Sequence, residues 1–594
     1  MRRQRHILWV ALLLVIVASF VVTACGGDDD EPTPSRGVTA AAPTAPPTAT
    51  TAPAPTATRT PAPTATPVPI APPTPTPTPV GVEPKRGGTL RVRLLRDFEP
   101  WDTYAVTSQF SVEHTLNFWS NLIALKAEQP AVLEPDLAER WELSSDGTVL
   151  TLFLVKTAKW HNGQPFTAQD VLFNLDRAKN PPPPSPPTAV INVNLSRVRP
   201  ITKMEAVDTN TVRLTIEKPS ASFLANFAAP FLLMYHPSLG KDSSNAIKNP
   251  IGTGPFAVSE YKAQTSVAAK RFDSYHRKDE RGRSLPFLDG LDLQFITDVN
   301  TARAAFRTGR IDCGCGYDFT FQFGNELKAS VADAKILTFS RDSFGYFLNG
   351  KRAPWENLQV RKAVMMMMDF KEVHQLDRGG LSFYPPSIML GPESGGQWGL
   401  PASEMLALPG FKGVTEADRT EGKRILAAAG VDPSKITVKI QSTANFPDVS
   451  QAIEAQFRKM GFQTNLILTA TGGQLVASLT AGDFDFSGLF GGRVIDDLSD
   501  AILDYTTTTG TRNYGKWSDP EIDRMAKEQD ETLDPNRRKT IVQNYQRRLI
   551  DQQIFVPFVN SFSTWPLQKP VEGFRQGRFA VHMGLRFDTV WLNK

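Results

Sequence analysis

Cys313-Gly314-Cys315 sets two thiols one residue apart, a spacing that invites metal or redox chemistry. Two thiolates supply only half of a structural zinc site, and no His follows nearby. A disulfide across one residue implies strain, so buried, idle thiols are the expectation. Met365 to Met368 is a run of thioethers, a soft-metal patch by type. At helical spacing these side chains cannot all face one side, and core packing is expected. His161, in Trp160-His161-Asn162-Gly163, reads as part of a turn beside a packed Trp. Gly252-Thr253-Gly254-Pro255 lacks the Lys-Ser/Thr ending of a phosphate loop; its glycines are expected to permit a tight turn entering a strand. Asp28-Asp29-Asp30-Glu31 lies in a flexible stretch without fixed coordination geometry and reads as solvation. Seven His are present, none in a catalytic pattern, with no Gly-x-Ser-x-Gly elbow and no His-Glu-x-x-His helix. Paired carboxylates stay open as a hydrolytic device, since acids are plentiful. The reading is of a chain that is not an enzyme and needs no cofactor or metal. A surface-anchored extracellular hydrolase is the alternative.

The N-terminus says where such a chain works. Arg2, Arg3 and Arg5 precede the apolar run Ile7 to Val22, and Val22-Thr23-Ala24-Cys25 follows as a small-residue cleavage site. This is the layout of a secretory signal, and the run is shorter than the ~20 apolar residues of a membrane span. Its ending resembles the bacterial lipobox, in which the Cys is lipidated and becomes the mature N-terminus. Residues 1–24 are thus read as a signal peptide and Cys25 as the lipidation site. An ordinary signal peptide and a retained anchor helix are the other readings; each leaves the bulk of the chain outside the cytoplasm. From Val38 to Val80 every residue is Pro, Thr, Ala or Val except Arg59 and Ile70. Such a tract buries too little apolar surface to order itself. Residues 25–84 are expected to form a disordered, semi-rigid tether, whose threonines permit O-glycosylation.

The remainder, from Lys85 on, exceeds the ~250–300 residues at which a single core stops growing, so two large lobes are expected. Net charge is +4 with no long basic cluster, which argues against nucleic acid. Alternation marks strands at Thr89–Leu95 and Thr211–Glu217, and Thr148–Val155, apolar on both faces, reads as a central strand. A helix starts near Thr167-Ala168-Gln169-Asp170, a capping-box-like sequence, and another runs from a cap at Asn300 to Gly309. Beyond residue 350 helices are expected over 357–368, 415–429 and 448–460. Strands are expected over 436–440, 464–468 and 484–489, and a long helix starts at Asp534-Pro535. Strands alternating with helices indicate an α/β layer. Trp119 and Trp355 read as core.

Several segments in order resemble the family 5 extracellular solute-binding proteins of ABC importers, the dipeptide, oligopeptide and nickel receptor group. They are Arg86-Gly87-Gly88-Thr89-Leu90-Arg91-Val92; Trp141-Glu142 with Asp146-Gly147; Lys159 through Val171; Ile251 through Phe256; Phe306 through Asp312; and Leu348-Asn349 with Val360 through Ala363 and Asp369. The resemblance implies an α/β, two-lobe periplasmic-binding-protein-like fold (type II, cluster C) with an extra subdomain in the first lobe. Lobe I would be 86–345 with 557–594, and lobe II 346–556. Two hinge crossings are expected, near Asp342–Asn349 and Val556–Asn560.

By the same resemblance, a solute, peptide-like first, is captured between the lobes and delivered to an ABC permease and its ATPase subunits. The receptor would be a monomer held by lipid to the outer face of the cytoplasmic membrane. Cleft residues implied are Arg96, Asp97 and Phe98 after the first strand, and Phe344 and Tyr346 on the first hinge. Arg493, Asp496 and Asp497 in the loop 490–497 complete the set. Peptide receptors of the family often carry Trp-x-x-Asp in that loop, the Asp pairing with the peptide's α-amino group. Here no Trp occupies the place. Arg493, Asp496 and Asp497 either bind the ends of a zwitterion or are solvated loop charges.

Overall fold

The structure, a computed structural model, describes residues 68–69, 83–97, 101–105, 112, 114–126, 129–180, 194–315, 321–376, 384–389, 391–392, 396–444, 446–470, 472–490, 495, 497–499, 502–575 and 586–594. Residues 1–24, read above as a signal peptide, Cys25 and nearly all of the tract expected to be a tether fall outside them. Val68–Pro69, within the tract, pairs antiparallel with Glu142 and Leu143.

Leu90, Val92 and Leu94 are buried on Thr89–Leu94, as their alternation requires. This strand runs parallel to Gly290–Phe295, which continues antiparallel through Ser266–Arg271 to Phe256–Lys262. A second sheet is antiparallel: Ala138–Leu143, Val149–Leu154, Thr211–Ile216, Ile201–Asp208, with Val68–Pro69 on its edge. Val149–Leu154 is central in it. Helix Ala168–Lys179 packs beside this sheet and begins with a capping box between Thr167 and Asp170. Both sheets share one apolar core, which runs from Leu90 to Cys315 and takes in Trp119, Trp565, Leu567, Phe587 and Leu592. Polar contacts at Asp136 and Glu134 tie the C-terminal segment to this core. Arg586 and His276 both reach Asp136, at 2.5 and 2.8 Å, while Arg277 and Arg575 reach Glu134, at 2.6 and 3.1 Å.

A third sheet orders Gln463–Thr469, Thr437–Thr443, Phe486–Phe490, Lys335–Leu348 and Val556–Leu567. The first three are parallel and the last two antiparallel. Helices Leu358–Met367, Glu416–Ala428, Pro447–Lys459 and Pro535–Asp551 pack with it around a second core running from Tyr346 to Phe558. Met365, Met367, Met368 and Trp355 are buried there. Lys335–Leu348 and Val556–Leu567 form a long two-stranded ribbon. Trp565 and Leu567 belong to the first core, Val556 and Phe558 to the second. Its register shifts between Ser340 and Ser343 and again between Phe344 and Gly345.

Three local expectations need correction. Helix Val299–Arg307 is capped by Asp298, whose carboxylate accepts from Thr301 N, and not by Asn300. Gly252 and Gly254 serve close approach rather than the tight turn expected. A Cβ at Gly252 would lie 1.9 Å from the Phe118 carbonyl oxygen, and one at Gly254 2.5 Å from the Phe118 carbonyl carbon. Cys313 and Cys315 are not idle thiols but a buried disulfide. Their Cα atoms are 5.3 Å apart, inside the usual disulfide range, because Cys313 bridges Val92 on one side and Leu567 on the other.

Candidate functional site

Among the described residues, contacts link the chain of the second core to that of the first, one of them just past the carboxyl end of the parallel strand Phe486–Phe490. Asp530, near the end of helix Pro520–Glu531, accepts from Ser220 Oγ at 3.1 Å and Ser222 Oγ at 2.8 Å. Ile495, just past Phe486–Phe490, is buried against Val112, Ala229 and Phe231. Ile495 and Asp530 stand on the chain of the second core, and their partners on that of the first.

Asp497 is 5% exposed and is held by Arg538 Nη2 at 2.8 Å. The same guanidinium donates to Gln529 Oε1 and lies 4.9 Å over the Trp398 ring. Gln529 in turn donates to Ser499 Oγ at 2.9 Å. The loop is therefore fixed at 497 and 499 to two helices, with Ile495 reaching out from it. Asp497 is a neutralised, inward-facing carboxylate, not the open loop charge expected for a zwitterion's amine.

Asp97 is nearly buried and accepts from Tyr261 OH at 2.6 Å and Gln264 N at 2.9 Å, bonds that pin the 262–266 hairpin. Arg96 beside it is exposed. Tyr346 points into the second core, 4% exposed, with ring centroids 4.6 Å from Phe486 and 4.1 Å from Phe558. Strand alternation explains this: Tyr346 and Leu348 share the inward face of Lys335–Leu348. Phe344 pairs through its backbone with Val559 and Phe490. Phe98, Arg493 and Asp496 lie outside the described residues.

His161 is an architectural residue. Its Nε2–H donates to Gly254 O at 3.0 Å and its Nδ1 accepts from Gly252 N at 3.2 Å. Burial brings its pKa down to about 4. Among the described residues, no group of three or more His, Cys, Asp or Glu could hold a metal ion, and no helix is long and apolar enough to cross a membrane.

Sequence reasoning missed Arg538, Ile495 and Asp530. Arg538 had a signal: it lies three and four residues before Ile541 and Val542, on the apolar stripe of its helix, where a charge requires a buried partner.

A model of the bacterial extracellular solute-binding proteins, family 5 (middle), matches residues 132–513. Heme-binding protein A of Haemophilus influenzae is 26% identical over 75% of this chain and 82% of its own. Di/tripeptide-binding protein 2 of Pseudomonas aeruginosa is 23% identical over 80% and 90%. The structure of the periplasmic binding protein DppA from Helicobacter pylori, in complex with the peptide STSA, superposes with a TM-score of 0.70. It is 20% identical, covering 86% of this chain and 99% of that one.

Proposed function

The chain belongs to the bacterial extracellular solute-binding proteins, family 5, the receptors of ABC importers, and we propose that its solute is peptide-like. The family is extracytoplasmic and captures solutes without transforming them. The relatives give the hydrolase alternative no support, and we read this chain as a receptor, not an enzyme. Lobe I is residues 86–345 with 557–594, and lobe II is 346–556. The observation that carries this reading is the pair of apolar cores strung on one ribbon, Lys335–Leu348 with Val556–Leu567. Bending at its register shifts would let the lobes part and close. A solute that touches both lobes only in the closed state shifts the population toward it. Lipid on Cys25 and the tract behind it would keep a monomeric receptor near its permease, raising effective concentration.

Peptide is favoured over heme or nickel complexes because peptide-binding proteins recur among the relatives. A thermal-shift screen of the full chain tests this against dipeptides, oligopeptides, oligosaccharides, heme and nickel chelates. A bound solute at 100 times its Kd adds about 2.7 kcal/mol of stability. Arg493→Ala and Asp496→Ala are expected to abolish the shift from a charged peptide. Shifts from heme alone would overturn the peptide reading, and an unchanged shift in both variants would remove those residues from the site.

A further inference from the structure

One buried polar cluster holds two contacts between the chains of the two cores, at Ile495 and at Asp530. Arg538 grips Asp497 and Gln529, and Asp497 and Ser499 fix the base of the loop whose Ile495 enters the apolar pocket of Val112, Ala229 and Phe231. Gln529 grips Ser499, and its neighbour Asp530 meets Ser220 and Ser222. The Ala221 amide also donates to the Asp530 carbonyl at 2.7 Å, so side chain and backbone of one residue engage the first core together. Ser499 Oγ lies 3.5 Å from Asp530 Oδ1 and closes the chain of contacts. The Arg538 and Asp497 side chains are 6% and 7% exposed, so neither belongs to the surface.

We propose that Arg538 is a positioning residue for solute capture. It sets the loop and the helix end so that Ile495 and Asp530 meet lobe I, and it thereby biases the receptor toward closure without touching the solute. This rests on the two-lobe reading above. On that reading Ile495 and Asp530 meet the first core when the lobes are together, so their contacts count toward the closed state. Asp497, Ser499, Gln529 and Asp530 thus form one linked set of contacts around Arg538.

The test uses the full chain as Cys25→Ser, spin-labelled at Lys203→Cys and Lys423→Cys, with trialanine as probe. Without probe, the parent chain should show a population at the interlobe distance of this structure, and probe should raise it. Arg538→Met alone leaves Asp497 buried and unpaired, so it is paired with Asp497→Asn. That double variant should lose most of the short-distance population and bind trialanine about tenfold more weakly. Asp530→Ala, on a partly exposed residue, should move both readouts the same way by less. Arg538→Lys should recover part of each. Wild-type distances and affinity in the double variant would overturn the proposal whatever its melting temperature, as would a parent chain without the short distance. A parent chain that closes yet ignores trialanine would count against the peptide reading, and the variant distances would still decide this one.

Discussion

His161 is neutral because both of its nitrogens are committed to the backbone of the Gly252–Pro255 segment. The imidazole donates through Nε2 and accepts at Nδ1, so a second proton would cost the Gly252 bond and bury a charge. Its folded pKa of about 4 lies below the ordinary 6.5, so the unfolded chain binds the proton first. The stabilisation is complete above pH 6.5 and fades as pH falls toward 4, by up to about 3 kcal/mol. His114, held down at about 3 by burial, and His276, lowered by burial, act in the same direction. His161→Gln can keep both bonds while removing the titration. It should flatten part of the melting temperature's fall between pH 6.5 and 4, and an unaltered pH profile would mean His161 is not proton-linked to folding. The sequence disclosed that His161 was no catalyst, but not what it holds. Its partners lie some ninety residues away, and nothing in Trp160-His161-Asn162-Gly163 points to them. Asp97, Tyr346 and Asp497 teach the converse. Each was assigned to the cleft by the place of its segment, yet each side chain is used by packing or pairing inside its own core.

Elements were legible where the cue is local. Thr167, Thr415 and Asp534 cap their helices as their sequences indicate, since a cap and its partner lie within three residues. The alternation of Thr89–Leu94 picked out its apolar face, though Arg93 on the other side is buried as well, its Nε donating to Ile296 O at 2.8 Å. Pairing between distant segments was not legible, and the seat of Cys313 between Val92 and Leu567 is the clearest case. Strain argued against the Cys313–Cys315 bridge from spacing alone, but Cys313 is bent between Val92 and Leu567, and Gly314 N donates to Pro566 O at 2.9 Å. A bridge closing so small a loop removes little unfolded-state entropy, about 1.5 kcal/mol. Cys313→Ser with Cys315→Ser should therefore lower the urea midpoint modestly and leave solute binding in place. A loss of several kcal/mol would show instead that the bridge holds the first sheet to the ribbon.

At the scale of the molecule, composition and length called for two cores but could not show how they are joined. The ribbon's partners lie more than two hundred residues apart, and Ile495 and Asp530 look like ordinary loop and helix-end residues until the fold brings them to Phe231 and Ser222. Such joints have a thermodynamic consequence. Two cores strung on one ribbon need not unfold as a single unit, and chains of several domains commonly depart from two-state behaviour. Calorimetry of the unliganded protein should give two overlapping transitions, with a van't Hoff enthalpy below the calorimetric one. A solute that bridges the lobes stabilises the joined form, by about 2.7 kcal/mol at 100 times its Kd, and should draw the transitions together. Asp530→Ala should spread them further apart. One transition with matched enthalpies in the absence of solute would mean that the cores already melt together. Closure would then have no independent parts to act on, and the clamshell would lose its physical basis.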